Sequence, residues 1–171
     1  MKTLLFASLI VSSFQVIAAS SSDQAVAELK SPSMTKLKSD IKFKKTAEGV
    51  KVVAVVSGLN PGSVHGFHIH EKGECKGPDF KSAGEHFNPM KHAHNSPAAA
   101  AKHAGDLGNL IANEKGIAKT EVIIKEEKDV SLSNMIGRSV VLHDKPDDLT
   151  SQPSGDSGDR IACGIIKSEK I

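Results

Sequence analysis

Histidine offers this sequence its richest chemistry, and six of its eight copies fall into a pattern. His68 and His70 stand at alternate positions of a run rich in β-forming residues, so both imidazoles project from one face of a strand. Two imidazoles side by side can share a metal ion. A single histidine on a strand is more often a satisfied core or surface residue, so the pair needs company. His86, His94 and His103 supply it, with Asp106 just beyond the last of them, and His143 closes another apolar run. Six imidazoles and a carboxylate at strand ends and in loops point to metal ligation, because neutral imidazole nitrogen and carboxylate oxygen are donors that divalent transition metals accept.

Donors spread over this much chain need a rigid scaffold to gather them. Runs with β-branched or alternating character predict strands at Ile41 to Lys44, Val50 to Ser57, Val64 to His70, Leu110 to Ala112, Ile117 to Ile124, Ser139 to His143 and Ile161 to Lys167. Turn signals separate them at Ala47-Glu48-Gly49, Asn60-Pro61-Gly62 and Asn113-Glu114-Lys115-Gly116. No long helical period appears, so the pattern is that of a β-sandwich or barrel. Two stretches, Glu71 to Gly108 and Asp144 to Gly158, are too long and too rich in Gly, Pro and polar residues to be simple turns. Long loops in a compact domain generally carry function, and these two contain or border most of the histidines. Ala98 to Ala101 could form a helical turn in the first of them, and Ser21 to Glu28 reads as a loosely held lead-in.

Residues 1–19 read as a cleaved secretory signal: Lys2, a mostly apolar stretch from Leu4 to Ile17, then small residues Ala18, Ala19 and Ser20. The rival, a membrane anchor, needs about 20 apolar residues, and this run is shorter and broken by Ser8, Ser12, Ser13 and Gln15. No stable membrane association is expected. Residues 20–171 are of a size for one domain. With 22 Lys and Arg against 20 Asp and Glu, the charge balance gives no reason to propose nucleic acid or an anionic membrane as partner. The two cysteines, Cys75 and Cys163, form the one pair available, and an oxidising compartment favours a disulfide over its rival, two free structural thiols.

Several motifs carry a family resemblance. His65-Gly66-Phe67-His68-Ile69-His70, Gly84-Glu85-His86-Phe87-Asn88-Pro89 and His103-Ala104-Gly105-Asp106-Leu107-Gly108-Asn109 closely resemble the copper/zinc superoxide dismutases. Ile136-Gly137-Arg138-Ser139-Val140-Val141-Leu142-His143 and Gly158-Asp159-Arg160-Ile161-Ala162-Cys163-Gly164 resemble two further signatures of that family. The similarity runs from about Leu29 to Ile166, and the signal together with the short second loop resembles the bacterial, periplasmic branch. It implies an all-β Greek-key sandwich or flattened barrel of about eight antiparallel strands with two long functional loops.

The resemblance also implies the site. Copper, one per subunit, is expected on His68, His70, His86 and His143; zinc, one per subunit, on His86, His94, His103 and Asp106, with His86 bridging the two and holding a proton during the cycle. An all-imidazole set suits a copper ion that changes oxidation state, and a mixed set suits redox-silent zinc. Asp147 matches a carboxylate that links one copper and one zinc histidine, against the rival of a solvated loop aspartate beside Asp148. Arg160 matches an arginine that guides the anionic substrate, superoxide; its rival role is a surface ion pair. Lys72, Lys76 and Lys81 could add to that field or be plain solvated surface. His65 matches a structural hydrogen-bonding residue and His92 a loop residue. By loop-closure entropy, a Cys75–Cys163 bridge could contribute about 4–5 kcal/mol. The expected activity converts superoxide to dioxygen and hydrogen peroxide, and a homodimer is expected rather than a monomer. The alternative is a non-catalytic copper or zinc carrier on the same fold, which has no use for an anion guide.

Overall fold

The computed structural model describes residues 23–169; the expected signal lies outside the described residues. Among the described residues, nine strands form two antiparallel sheets: β1 (Gln24–Ala27), β2 (Lys38–Thr46), β3 (Gly49–Ser57), β4 (Val64–His70), β5 (Asp106–Ile111), β6 (Ile117–Ile124), β7 (Ser139–His143), β8 (Arg160–Ile165) and β9 (Lys167–Ser168). One sheet runs β6-β3-β2-β1-β9 and the other β5-β4-β7-β8. After the β1-β2-β3 meander the chain crosses to β4 and β5, returns to lay β6 beside β3, and crosses again to β7 and β8, a Greek-key sandwich.

The first sheet has one dry face. Along β3, Val50, Val52, Ala54 and Val56 are fully buried while the residues between them are half-buried, and β2 sends Ile41 and Phe43 inward and Lys38, Asp40, Lys42 and Lys44 outward. The second sheet is buried on both faces. Phe67, Ile69, Val140 and Leu142 enter the main core, whereas His68, His70, Val141 and His143 are equally hidden on the opposite face. That second burial is provided by the two long loops, as Phe80 and Ala83 of the first loop pack on Val141 and Cys163. The histidines therefore sit between a rigid sheet and a loop layer.

Three sequence readings are corrected. The lead-in Ser21 to Glu28 contains a true strand, β1, paired with β2 through Gln24↔Lys44 to Ala27↔Ile41. Alanine has little strand preference of its own, so Ala25 and Ala27 reveal their inward face only once β2 is beside them. The first loop ends at Gly105 rather than Gly108, because Asp106 already pairs with His68; the glycines around it masked the start of β5. Ala98 to Ala101 makes only an isolated turn, with the Ala99 N–H donating to the Ser96 carbonyl at 3.0 Å. A single helical turn, α1 (Leu132–Met135), lies instead before β7, capped by the Ser131 hydroxyl.

Cys75 and Cys163 are disulfide-bonded across 88 residues, fastening the first loop to β8. Cys75→Ser is expected to lower the unfolding free energy by about 2–4 kcal/mol and to weaken metal retention, read by thermal melting and metal analysis after dialysis. An unchanged Tm would contradict a structural bridge.

Candidate metal centre

The local backbone explains how residues from four strands and two loops converge. His68 and His70 leave the loop-covered face of β4; His143 ends β7 on the same face, and Asp106 opens β5 opposite His68. His86 is brought alongside β4 by a bridge to His70. Three backbone bonds lock that segment: Phe87 N–H to Ile69 carbonyl at 2.8 Å, Ile69 N–H to Gly105 carbonyl at 2.9 Å, and Gly105 N–H to Phe87 carbonyl at 2.9 Å.

All seven predicted donors fall into two buried groups, His68, His70, His86 and His143, and His86, His94, His103 and Asp106, whose ligand atoms within each group lie within 4.8 Å of one another. His86 belongs to both. In the first group each ring has its far nitrogen engaged elsewhere or directed to the second group. His70 Nδ1 donates to the Gly84 carbonyl at 2.9 Å, His143 Nδ1 to the Gly158 carbonyl at 3.3 Å, and His68 Nε2 to Asp147 Oδ2 at 2.8 Å. Each bond fixes the tautomer and leaves a lone pair on the other nitrogen. Those nitrogens, His68 Nδ1, His70 Nε2 and His143 Nε2, and with them His86 Nε2, are buried without any hydrogen-bond partner among the described residues. Four orphaned buried acceptors are costly unless a cation joins them.

The second group crowds differently. Asp106 Oδ1 lies 2.9 Å from His86 Nδ1, 2.9 Å from His94 Nδ1 and 3.2 Å from His103 Nδ1, and the last is 3.3 Å from His86 Nδ1. Ligands at tetrahedral zinc distances stand about 3.3 Å apart, so the donor set and its spacing fit that ion. Asp147 joins the two groups, accepting from His68 Nε2 on one oxygen and from His94 Nε2 on the other at 2.9 Å. It is buried, and therefore not the solvated loop residue that the sequence left open.

Sequence reasoning missed the side chains that hold this link. Asn109 clamps the Asp147 backbone in both directions at 2.8 Å, and Gln152 does the same for the His94 backbone at 2.8 and 2.9 Å. Asn109 lay inside a quoted motif; nothing in the sequence marks Gln152. Gly155, with φ of +70°, passes so close that a Cβ would lie 1.8 Å from Asp147 Oδ1, a position open only to glycine. His65 and His92 stay outside both groups. His65 bonds the His143 carbonyl and the Ser63 hydroxyl, and His92 the Lys102 carbonyl.

Arg160 begins β8 directly across from His143. Its charge helps to lower the proton affinity of both His70 and His143, and Nη1 donates to the Phe80 carbonyl at 3.0 Å. Of the three lysines, Lys76 pairs with Glu74 at 2.8 Å and Lys81 with Asp79 at 3.4 Å, both exposed.

Burial holds His68 at about 3 and His143 at about 4, and lowers His70 and His86 as well, so the first group is neutral at pH 7 with its lone pairs available. Burial also opposes charge on His94, but its bonds to Asp106 and Asp147 win and raise it to about 9. Both carboxylates are held well below the usual range: burial resists, and the bonds to the histidines override it. A raised pKa means that metal-free His94 carries a proton at pH 7, which must leave before Nδ1 can bind a metal. Zinc uptake by the metal-free protein is therefore expected to release about one proton from His94 at pH 7 and none from it above pH 10. Titration calorimetry in buffers of different ionisation enthalpy reads this directly; proton release independent of pH would contradict it.

Known proteins are similar to this chain in sequence and fold. The sequence model of the family described as copper/zinc superoxide dismutase matches residues 37–166. Superoxide dismutase [Cu-Zn] 1 of Aquifex aeolicus (strain VF5) is 42% identical over 127 residues, covering 71% of this chain and 75% of that protein. Superoxide dismutase [Cu-Zn] 3 of Arabidopsis thaliana is 44% identical over 124 residues, 67% of this chain and 73% of its own. The crystal structure of the clock protein EA4 superposes with a TM-score of 0.78 at 32% identity, over 91% of this chain and all of that one. With that family's sequence model covering most of its length, this chain belongs to the copper/zinc superoxide dismutases.

Proposed function

We propose that the chain dismutes superoxide, with His68, His70, His86 and His143 holding copper, His86, His94, His103 and Asp106 holding zinc, and Arg160 guiding the anion. The observation that carries this reading is the set of four partnerless buried nitrogens, one of them on the ring that also enters the mixed group. Copper held there would supply one-electron chemistry in both directions, so that one superoxide gives up an electron as dioxygen and a second takes up that electron with two protons as hydrogen peroxide; zinc would supply a fixed charge and no redox chemistry.

The protein's own residues set up that exchange. Neutral imidazoles fixed by Gly84, Gly158 and Asp147 need no reorganisation to ligate. His86, with a nitrogen toward each group, could take up a proton on Nε2 and supply it to the reduced anion. Arg160 lines a surface cleft with Pro78, Asp79, Lys81, Glu85 and Asp159. Its fixed positive charge draws a small anion toward the His70 and His143 side of the centre. The pairing of Lys76 and Lys81 with neighbouring acids supports giving the guiding role to Arg160 rather than to the lysines.

A carrier must release its cargo, whereas these ligands are almost fully buried and cross-braced, which favours the enzyme. No helix among the described residues is long and apolar enough to cross a membrane. We read residues 20–171 as one domain exported behind a 1–19 signal to the periplasm, active as a homodimer.

The test is superoxide decay by the copper- and zinc-loaded protein at low and high salt, beside Arg160→Ala. Rapid decay is expected, slowed by salt, and about tenfold slower without Arg160 at unchanged copper content. No decay beyond that of free copper, at full occupancy, would move the assignment to a carrier.

A further inference from the structure

The side chain of Arg160, the proposed anion guide, is long and only half-buried, and among the described residues a single hydrogen bond directs it. That bond runs from Nη1 to the carbonyl of Phe80 at 3.0 Å. The acceptor is unusual. Phe80 has φ of 51° and ψ of 22°, the left-handed region, where glycine is the default and a bulky residue is an outlier. Such a backbone persists only where its surroundings impose it, and such outliers gather at functional sites.

The ring of Phe80 supplies the imposing contact. It is 4% exposed and lies in a small second core with Ala83, Val141, Cys163 and the disulfide partner Cys75, separate from the main core. With the ring seated there, the left-handed turn starts the 3₁₀ segment Lys81–Ala83. The Phe80 carbonyl then accepts from the Ala83 N–H at 3.0 Å and, on its other side, from Arg160. Both lone pairs are thereby used.

We propose that Phe80 is the positioning residue of the anion guide: its ring, wedged against Val141 and the Cys75–Cys163 bridge, holds a left-handed backbone that aims its carbonyl at Arg160 and so fixes the guanidinium beside the copper group. The proposal rests on the reading of Arg160 as the guide.

Two variants separate ring from backbone. Phe80→Gly accepts the left-handed backbone freely but removes the anchor; Phe80→Leu keeps an apolar anchor of similar reach. The chain has two arginines, and Arg138, held by the Asn134 and Glu71 carbonyls and stacked on Phe87, is an internal control. In the metal-loaded full chain, modification of Arg160 by phenylglyoxal, mapped by mass spectrometry, is expected to accelerate several-fold in Phe80→Gly, to return toward the parent rate in Phe80→Leu, and to leave Arg138 unchanged. The rate of superoxide decay at low salt should fall by about threefold in Phe80→Gly, with a flatter salt dependence, and Phe80→Gly should add nothing in an Arg160→Ala background. If the glycine variant loses metal or melts early, Phe80→Val, whose branched side chain resists the left-handed backbone, serves in the same cycle with the same expected losses.

An equal loss with and without Arg160, or unchanged Arg160 reactivity in Phe80→Gly, would overturn the positioning role while leaving the guide in place. An Arg160→Ala variant with the parent rate and salt dependence would instead overturn the guide, and the proposal with it.

Discussion

Six imidazoles and a carboxylate packed together out of water are the constraint around which this structure is organised. Buried polar atoms cost free energy unless bonded, and here the far side of each ring in the all-histidine group is bonded or given to the second group. Gly84 and Gly158 carbonyls serve His70 and His143; Asp147 serves His68 and His94; Asp106 gathers His86, His94 and His103. The four nitrogens left over belong to one group whose ligand atoms lie within 4.8 Å of one another. The same hydrogen bonds that fix the tautomers thus define where a cation belongs, and His86 ties the two positions through one ring.

That demand shapes the rest of the molecule. A sheet whose outer face carries such a group has to be covered, which accounts for the double burial of β4 and β7 and for the length of the two loops. Covering alone would not fix geometry, so the loops are stitched down. The disulfide holds the first loop to β8, Ser139 Oγ and Arg138 bond the Lys72 and Glu71 carbonyls, and the Asn109 and Gln152 amides clamp the backbones of Asp147 and His94. Rigidity has chemical value here, because copper binds nitrogen and oxygen sites more strongly than zinc and only geometry and donor type can sort the two.

Much of this was legible in the sequence. The alternation of β3 and the spacing of His68 and His70 expose both strand and ligand face, since the period of a strand is two whatever it packs against. The gathering of these seven side chains was legible through ordered motifs, with His94 inside the cluster and His92 outside it, bonded to the Lys102 carbonyl. What escaped depends on partners. β1 is made of small residues whose inward face exists only beside β2, and β5 begins among glycines whose pairing with β4 no local pattern announces. The carbonyls of Gly84, Gly158 and Phe80 act through the backbone, which every residue has, so sequence gives them no mark. Gln152 matters because its loop folds back on His94 over 58 residues of chain.

The proposed function requires two unlike metal positions sharing His86. Anomalous diffraction from crystals of the copper- and zinc-loaded protein, recorded on either side of each metal's absorption edge, tests it most directly. It predicts copper alone among His68, His70, His86 and His143, zinc alone among His86, His94, His103 and Asp106, and density from the His86 ring toward both. Copper and zinc mixed over both positions, or His86 turned to one of them only, would contradict it.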